Sequence, residues 1–310
     1  MKEKAMRYEN KLVAFIDILG FKDIIKQTES DISKIELLNS VLNYLKNWEV
    51  PDKWDLTFVE IEESAQYKGL KNFDITNKTN STSFSDSIVV TVKVDDNVNE
   101  MASTLIANLA YIGAVLLEKS ILFRGGLTYG NIVHNTNGTV FGQGLIDAYN
   151  LERNNAKFPR IILSDKLIKE LNYPLEYKRN RYPYHQYLLR FDDGVVGFHQ
   201  LQYYEVMQSW TEMPAERLTE KLDTIRGVLI KGLDGSFERP DVFEKYRWLK
   251  EQYEKLIILD QYDFKTNVDI RKEDIKKKFF EFNEGVSQQI HYSVVEEFRS
   301  KKHENKEKEK

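Results

Sequence analysis

Apolar residues first gather at Leu12, Val13, Ala14, Phe15 and Ile16, a run that ends on Asp17. An unbroken apolar run bounded by a carboxylate reads as a buried strand over residues 12–17. A glycine-bearing turn over 18–21 follows. Ile25, Ile32, Ile35, Leu38, Leu42 and Leu45 then recur at roughly helical spacing, predicting a helix over 22–46. Residues 49–78 hold no sustained period, apart from a short strand expected at the Thr57-Phe58-Val59 stretch. The β-branched residues of 83–94 predict a strand pair. Met101, Leu105, Leu109, Ile112 and Leu116 repeat at steps of three or four and predict a helix over 97–119. A strand over 121–130, a short strand near Val140, a helix over 144–154 and a strand over 160–165 complete this half.

The resulting β-α-β-β-α-β order predicts an α+β fold of ferredoxin-like, palm-type arrangement. Beyond it, residues 187–204 read as two antiparallel strands around Asp192-Asp193-Gly194. Three amphipathic helices are expected near 215–230, 240–259 and 272–299, and the closing KKHENKEKEK reads as a charged, disordered tail. The expected organisation is therefore a domain over 1–171, a β-hairpin and helical extension over 172–301, and a tail over 302–310.

Composition narrows the function classes. Lys plus Arg number 45 against 49 Asp plus Glu, so the chain lacks the basic excess that gripping nucleic-acid phosphates calls for. There is no cysteine, which removes disulfides, thiolate metal sites and cysteine nucleophiles. The amino-terminal apolar stretch is too short and too polar for a signal peptide, no later stretch is expected to reach membrane length, and the expected location is the cytoplasm.

Chemistry concentrates in three segments. In Phe15–Phe21, FIDILGF, a strand delivers Asp17 to a turn that opens a helix. That carboxylate can ligate a hard cation, and the backbone N–H groups of Ile18, Leu19, Gly20 and Phe21 can receive phosphate oxygens. The alternative is that Asp17 only caps the helix. In Ser83–Val90, SFSDSIVV, Asp86 interrupts a β-rich stretch; it is either a second metal ligand at a hairpin tip or an ordinary turn aspartate. Two such carboxylates on neighbouring strands make a minimal two-metal site for phosphoryl chemistry. In Leu122–Gly130, LFRGGLTYG, paired glycines imply close backbone approach, and Arg124 is either a substrate-phosphate contact or an arginine satisfied by backbone. No Gly-Lys-Ser/Thr or GxGxxG pattern occurs.

Taken in order, FIDILGF, FSDS, RGGLTYG (124–130) and the 141–152 helix ending AYNLE resemble the class III nucleotidyl cyclase catalytic domain over about residues 11–165. The resemblance implies two divalent metal ions, manganese or magnesium, on Asp17, Asp86 and the backbone of Ile18. It also implies a nucleoside triphosphate substrate and a homodimer. Departures from the pattern refine this. The base-reading position four residues before Asp86 is Thr82, its partner falls near Thr139, and the transition-state Asn and Arg positions are Ile146 and Asn150. Similar departures occur in the pyrimidine cyclases of bacterial Pycsar anti-phage systems. By that resemblance the chain converts UTP, less readily CTP, to a cyclic monophosphate that acts on a separate effector, with Thr82, Arg124 and Asn150 as base or transition-state contacts. A purine cyclase and a non-catalytic, nucleotide-binding cyclase homologue are the alternatives.

Overall fold

The computed structural model describes residues 7–47, 78–95, 97–171, 187–210 and 215–257. The expected strand near Thr57, the helix over 272–299 and the charged tail lie outside the described residues. The chain divides into two compact units, Met1–Val206 and Met207–Lys310.

The first unit is a mixed α+β structure built on one sheet. In chain order its elements are β1 (Glu9–Leu19), α1 (Phe21–Thr28), α2 (Ile32–Asn47), β2 (Thr79–Phe84), β3 (Ser87–Lys93), α3 (Val98–Glu118), β4 (Leu122–His134), β5 (Val140–Phe141), α4 (Gln143–Asn155), β6 (Arg160–Leu163), α5 (Asp165–Glu170), β7 (Leu189–Arg190), β8 (Val196–His199) and the start of α6 (Gln202–Trp210), whose residues from Met207 on fall in the second unit. The strand order is β2-β3-β1-β4-β6-β8-β7, with β5 paired to β4. All neighbours are antiparallel except β4 and β6. The central position of β1 explains its apolar run: Leu12, Val13 and Ala14 are fully buried because helices cover both faces.

Side-chain alternation assigns the faces. Val13 and Phe15 on β1 pack with Val89, Ile132 and Ala148, which places α4 on the face of the odd-numbered β1 residues. Ile18 pairs with Phe123 on β4, and a Cβ on Gly113 of α3 would meet the Phe123 ring at 3.0 Å, so α3 covers the opposite face. Asn97 caps α3 by accepting from the Asn99 N–H. Contrary to the expectation that no stretch reaches membrane length, the 21 residues of α3 are long and apolar enough to cross one. Its Leu105, Ile106, Leu109 and Ile112 are instead fully buried within the protein.

Other boundaries differ for physical reasons. The helix expected over 22–46 is two helices, α1 and α2, interrupted where the Asp31 carboxylate accepts from the Ser33 N–H and hydroxyl. Such local side-chain bonding competes with a continuous helix. Ile32 and Ile35, counted as core by spacing, are 76% and 50% exposed. The hairpin assigned to an extension beyond residue 171 is the outer edge of the main sheet, because β8 pairs with β6 through Arg160, Ile161 and Ile162. Arg160, 1% exposed, anchors it: the guanidinium forms a bidentate pair with Asp193 at the hairpin tip and lies over the Phe191 ring at 4.6 Å. Residues 202–204, read as strand, begin α6.

In the second unit, α7 (Ala215–Asp234) packs on α8 (Pro240–Ile257) through buried Leu222, Ile225, Leu229, Leu249 and Tyr253, and the Tyr253 hydroxyl donates to the Leu222 carbonyl at 3.1 Å.

Candidate active site

The β1–β3 register sets Asp17 opposite Ser87, the residue after Asp86. The β2–β3 turn is formed by Ser85, at φ 57°, and Asp86, whose carbonyl accepts from the Ile18 N–H at 2.9 Å. Two aspartates 69 positions apart in sequence are thereby brought onto adjacent strand ends. On the other side of β1, Asp17 faces Arg124 of β4.

Helix α4 closes this corner. It approaches β4 at two glycines: a Cβ on Gly126 would lie 2.5 Å from the Ala148 carbonyl oxygen, and one on Gly130 would lie 3.2 Å from the Gly144 Cα. The paired-glycine segment thus does what close backbone approach requires. The approach carries Glu152, one turn past Ala148, into the corner, where it is 4% exposed.

Arg124 is shared between two carboxylates. Its Nε–H donates to Asp17 Oδ2 at 3.3 Å, while Nε lies 2.7 Å from Glu152 Oε1 without hydrogen-bond alignment. Nη1 donates to the Ala156 carbonyl at the end of α4, at 3.3 Å. Glu152 Oε1 is consequently buried with no hydrogen-bond donor. Burial raises the Glu152 carboxyl above its ordinary value; Arg124 opposes the rise, and the negative charges of Asp17 and Asp86 add to it.

The expected site residues do not all assemble. Asp17 does not cap α1: the N-cap is Gly20, at φ 72°, with no side-chain hydrogen bond. Ile18 and Leu19 remain in β1, paired with Phe123 and Leu122, and the Ile18 N–H is spent on Asp86. This corrects the phosphate cradle. The Ile18 amide is not available to an anion, and the helix start itself is Gly20 and Phe21. Asn150 is not in the cluster; with Asp147, Asn154, Ser164 and Asp165 it lines a separate cavity of about 440 Å³ between α4 and the β6–α5 junction. Arg124 is engaged by carboxylates and a backbone carbonyl.

Thr82 is in a network that spacing along the chain did not reveal. His134, at the end of β4 and 3% exposed, sits between Thr82 Oγ1 (2.9 Å from Nε2) and Thr91 Oγ1 (2.8 Å from Nδ1). Thr82 Oγ1 also lies 3.5 Å from the carbonyl of Gly138, next to Thr139 in the β4–β5 connection. Burial, and secondarily the charge of Lys11, lower the His134 pKa to about 4. The ring is therefore neutral at physiological pH. Thr91 is fully buried, and its hydroxyl proton is best satisfied on Nδ1, which leaves Nε2–H to donate to Thr82. His134 and Glu152 are the two residues that sequence reasoning missed. A readable signal existed only for Glu152, an acidic side chain four positions after Ala148 on the inward stripe of α4.

No protein-family model matches the chain, and no curated protein does. Solved structures with some likeness include the catalytic core of a rhodopsin-guanylyl cyclase with converted specificity in complex with ATPαS. It shares 18% identity at a TM-score of 0.35, over 61% of this chain and 93% of that one. A monomeric guanylyl cyclase domain of the RhoGC fusion protein from the aquatic fungus Blastocladiella emersonii shares 15% at 0.36, over 63% and 98%. A class III adenylyl cyclase-like ATP-binding protein from Pseudomonas aeruginosa shares 12% at 0.33, over 82% and 48%. These are loose likenesses.

Proposed function

We propose that the chain is a nucleotidyl cyclase of the class III type, converting UTP, in preference to CTP, to the 3′,5′-cyclic monophosphate and pyrophosphate. The observation that carries this reading is the convergence of Asp17 and Asp86 on adjoining strand ends, with a third carboxyl group, Glu152, buried behind them.

The donor set suits a hard divalent cation, manganese or magnesium: carboxylate oxygens and a backbone carbonyl at Ile18. The donorless Glu152 Oε1, buried beside Arg124, adds a further hard oxygen to the same corner. Among the described residues no group of three or more His, Asp or Glu is already disposed around a cation position. The fit therefore rests on donor chemistry, with Asp17, Asp86 and Ile18 as the residues that would hold two ions. When bound, such ions acidify the ribose 3′-hydroxyl and neutralise the β- and γ-phosphates.

The chain's own groups account for the rest. The 3′-oxygen attacks the α-phosphorus, a new O–P bond forms, and the bond to the β-phosphate oxygen breaks to release pyrophosphate. Amides at the start of α1, Gly20 and Phe21, offer donors to the departing phosphates. Thr82, positioned by His134, contacts the base; Arg124 pairs with the Asp17 carboxylate before a cation binds. Exposed Tyr8, Phe141, Ile146 and Tyr149, clustered on β5, α4 and the lead into β1, support a homodimer through this face. A product of this kind would act on a separate effector in anti-phage defence.

The test is incubation of the purified chain with manganese and each of the four nucleoside triphosphates, with product identification by mass spectrometry. Cyclic UMP as the main product is expected, cyclic AMP or GMP would replace the pyrimidine assignment, and no cyclic product from any of them would overturn the cyclase. Two observations favour a second reading, a non-catalytic nucleotide-binding homologue: Arg124 already occupies Asp17, and Asn150 lines another cavity. Under that reading Asp86→Ala leaves nucleotide binding and biological activity intact.

A further inference from the structure

Arg124 is the one side chain in the site that two carboxyl groups compete for. Its Nε carries a single N–H, which is aligned with Asp17 Oδ2 at 3.3 Å although Glu152 Oε1 lies nearer, at 2.7 Å. The far end of the guanidinium donates to the carbonyl of Ala156, the C-cap of α4. Glu152 is 4% exposed and its Oε1 receives no hydrogen bond, an arrangement that costs stability in any protein. A carboxylate oxygen held dry and donorless, within contact distance of an arginine that points its N–H elsewhere, is a vacant acceptor in a two-position device.

We infer that Arg124 is the resident counter-ion of Asp17 while no divalent cation is bound, and that Glu152 is the positioning residue that receives Arg124 when a cation takes Asp17. This rests on the reading of Asp17 as a metal ligand. A cation and a guanidinium cannot share one carboxylate at close range without strong repulsion in a partly buried site. Arg124, 26% exposed at its side chain, would become a poorly solvated charge if it were only expelled, at considerable cost. Glu152 removes that cost: a small rotation transfers the Nε–H from Asp17 to Oε1 with the Ala156 tether kept. Metal loading and the Arg124–Glu152 hydrogen bond are then the same event, and the reach of the Glu152 carboxylate sets how readily the ion binds. A plain structural strut between α4 and β4 would need neither the shared nitrogen nor the idle oxygen.

The experiment titrates the full chain with manganese alone, without nucleotide, and follows free Mn2+ by electron paramagnetic resonance, with Asp17→Asn as the reference for non-specific binding. Glu152→Asp keeps the charge but withdraws the carboxylate by one methylene; it should weaken Mn2+ binding by about tenfold, the worth of one charge-assisted hydrogen bond. Arg124→Gln removes the competitor and should bind Mn2+ at least as tightly as the wild type. The double variant should return to within about threefold of wild type, because no guanidinium remains to be received. Unchanged affinity in Glu152→Asp, weaker binding in Arg124→Gln, or a double variant as weak as Glu152→Asp would each overturn the inference while leaving the metal reading in place. A wild type with no Asp17-dependent Mn2+ binding would overturn both. Should Glu152→Asp fail to fold, the Arg124→Gln affinity decides alone.

Discussion

Acidification should cost this protein stability through His134, and the size of the cost follows from its surroundings. The ring is 3% exposed, lies between two threonine hydroxyls, and is near the Lys11 ammonium, a cation that disfavours protonation further. Folding therefore lowers its pKa from 6.5 to about 4. Above the unfolded value both states are neutral and the group contributes no pH dependence. Below it the unfolded chain takes up a proton that the native ring refuses, so stability falls as the pH drops and levels off once the native ring also protonates. At about 1.4 kcal/mol for each pKa unit the full difference is about 3 kcal/mol. Water reaches the half-buried Thr82 end of the network, so about 2 kcal/mol is the expected loss. The assay is urea unfolding followed by far-ultraviolet circular dichroism from about pH 7.5 to about pH 4.5, for wild type and His134→Asn. Other carboxyl groups titrate in this range, but they are common to both proteins, and the second unit is untouched by the substitution. The wild-type curve should fall away from the variant's by about 2 kcal/mol below about pH 6.5. Parallel curves would refute the argument, because they would mean that the ring gains its proton as easily folded as unfolded.

Three further outcomes are expected. Gly126→Ala places a Cβ 2.5 Å from the Ala148 carbonyl oxygen and 3.0 Å from the Glu152 amide, both backbone; α4 must shift, with a loss of about 2 kcal/mol visible as a lower Tm, since backbone cannot rotate out of the way. Asp193→Asn removes the carboxylate that satisfies the buried Arg160 guanidinium; about 1–3 kcal/mol should be lost in urea unfolding, the lower end because Asp193 is 46% exposed. Asp17→Asn and Asp86→Asn should each abolish cyclic-nucleotide formation by at least about a hundredfold with Tm retained, measured by product mass spectrometry beside a thermal melt.

How much of this was legible in the chain depended on the range of the interaction. The run Leu12–Ile16, the Ser83–Val90 hairpin and the α3 stripe are local patterns, and each marked an element of the described fold. The two aspartates stood out because a carboxylate inside β-rich sequence is out of place unless something beside the strand explains it. Element ends were less legible: β1 runs on through Leu19, and Ile18 left the expected phosphate cradle because its amide donates to the Asp86 carbonyl of the β2–β3 turn.

By itself, then, the sequence determined periodicity, and periodicity determined which residues form strands, helices and turns and which faces are apolar. It also supplied the hard-oxygen chemistry of Asp17 and Asp86 and the glycines that permit close approach at Gly126 and Gly130. Only the tertiary structure decided that the 189–199 hairpin completes the main sheet, that Arg124 stands between Asp17 and Glu152, and that His134 bridges Thr82 and Thr91. The physical reason is the same for all three. A hydrogen bond or ion pair between residues tens of positions apart leaves no mark on the spacing of either partner; it exists only once strand register and helix packing have brought the two side chains within about 3 Å.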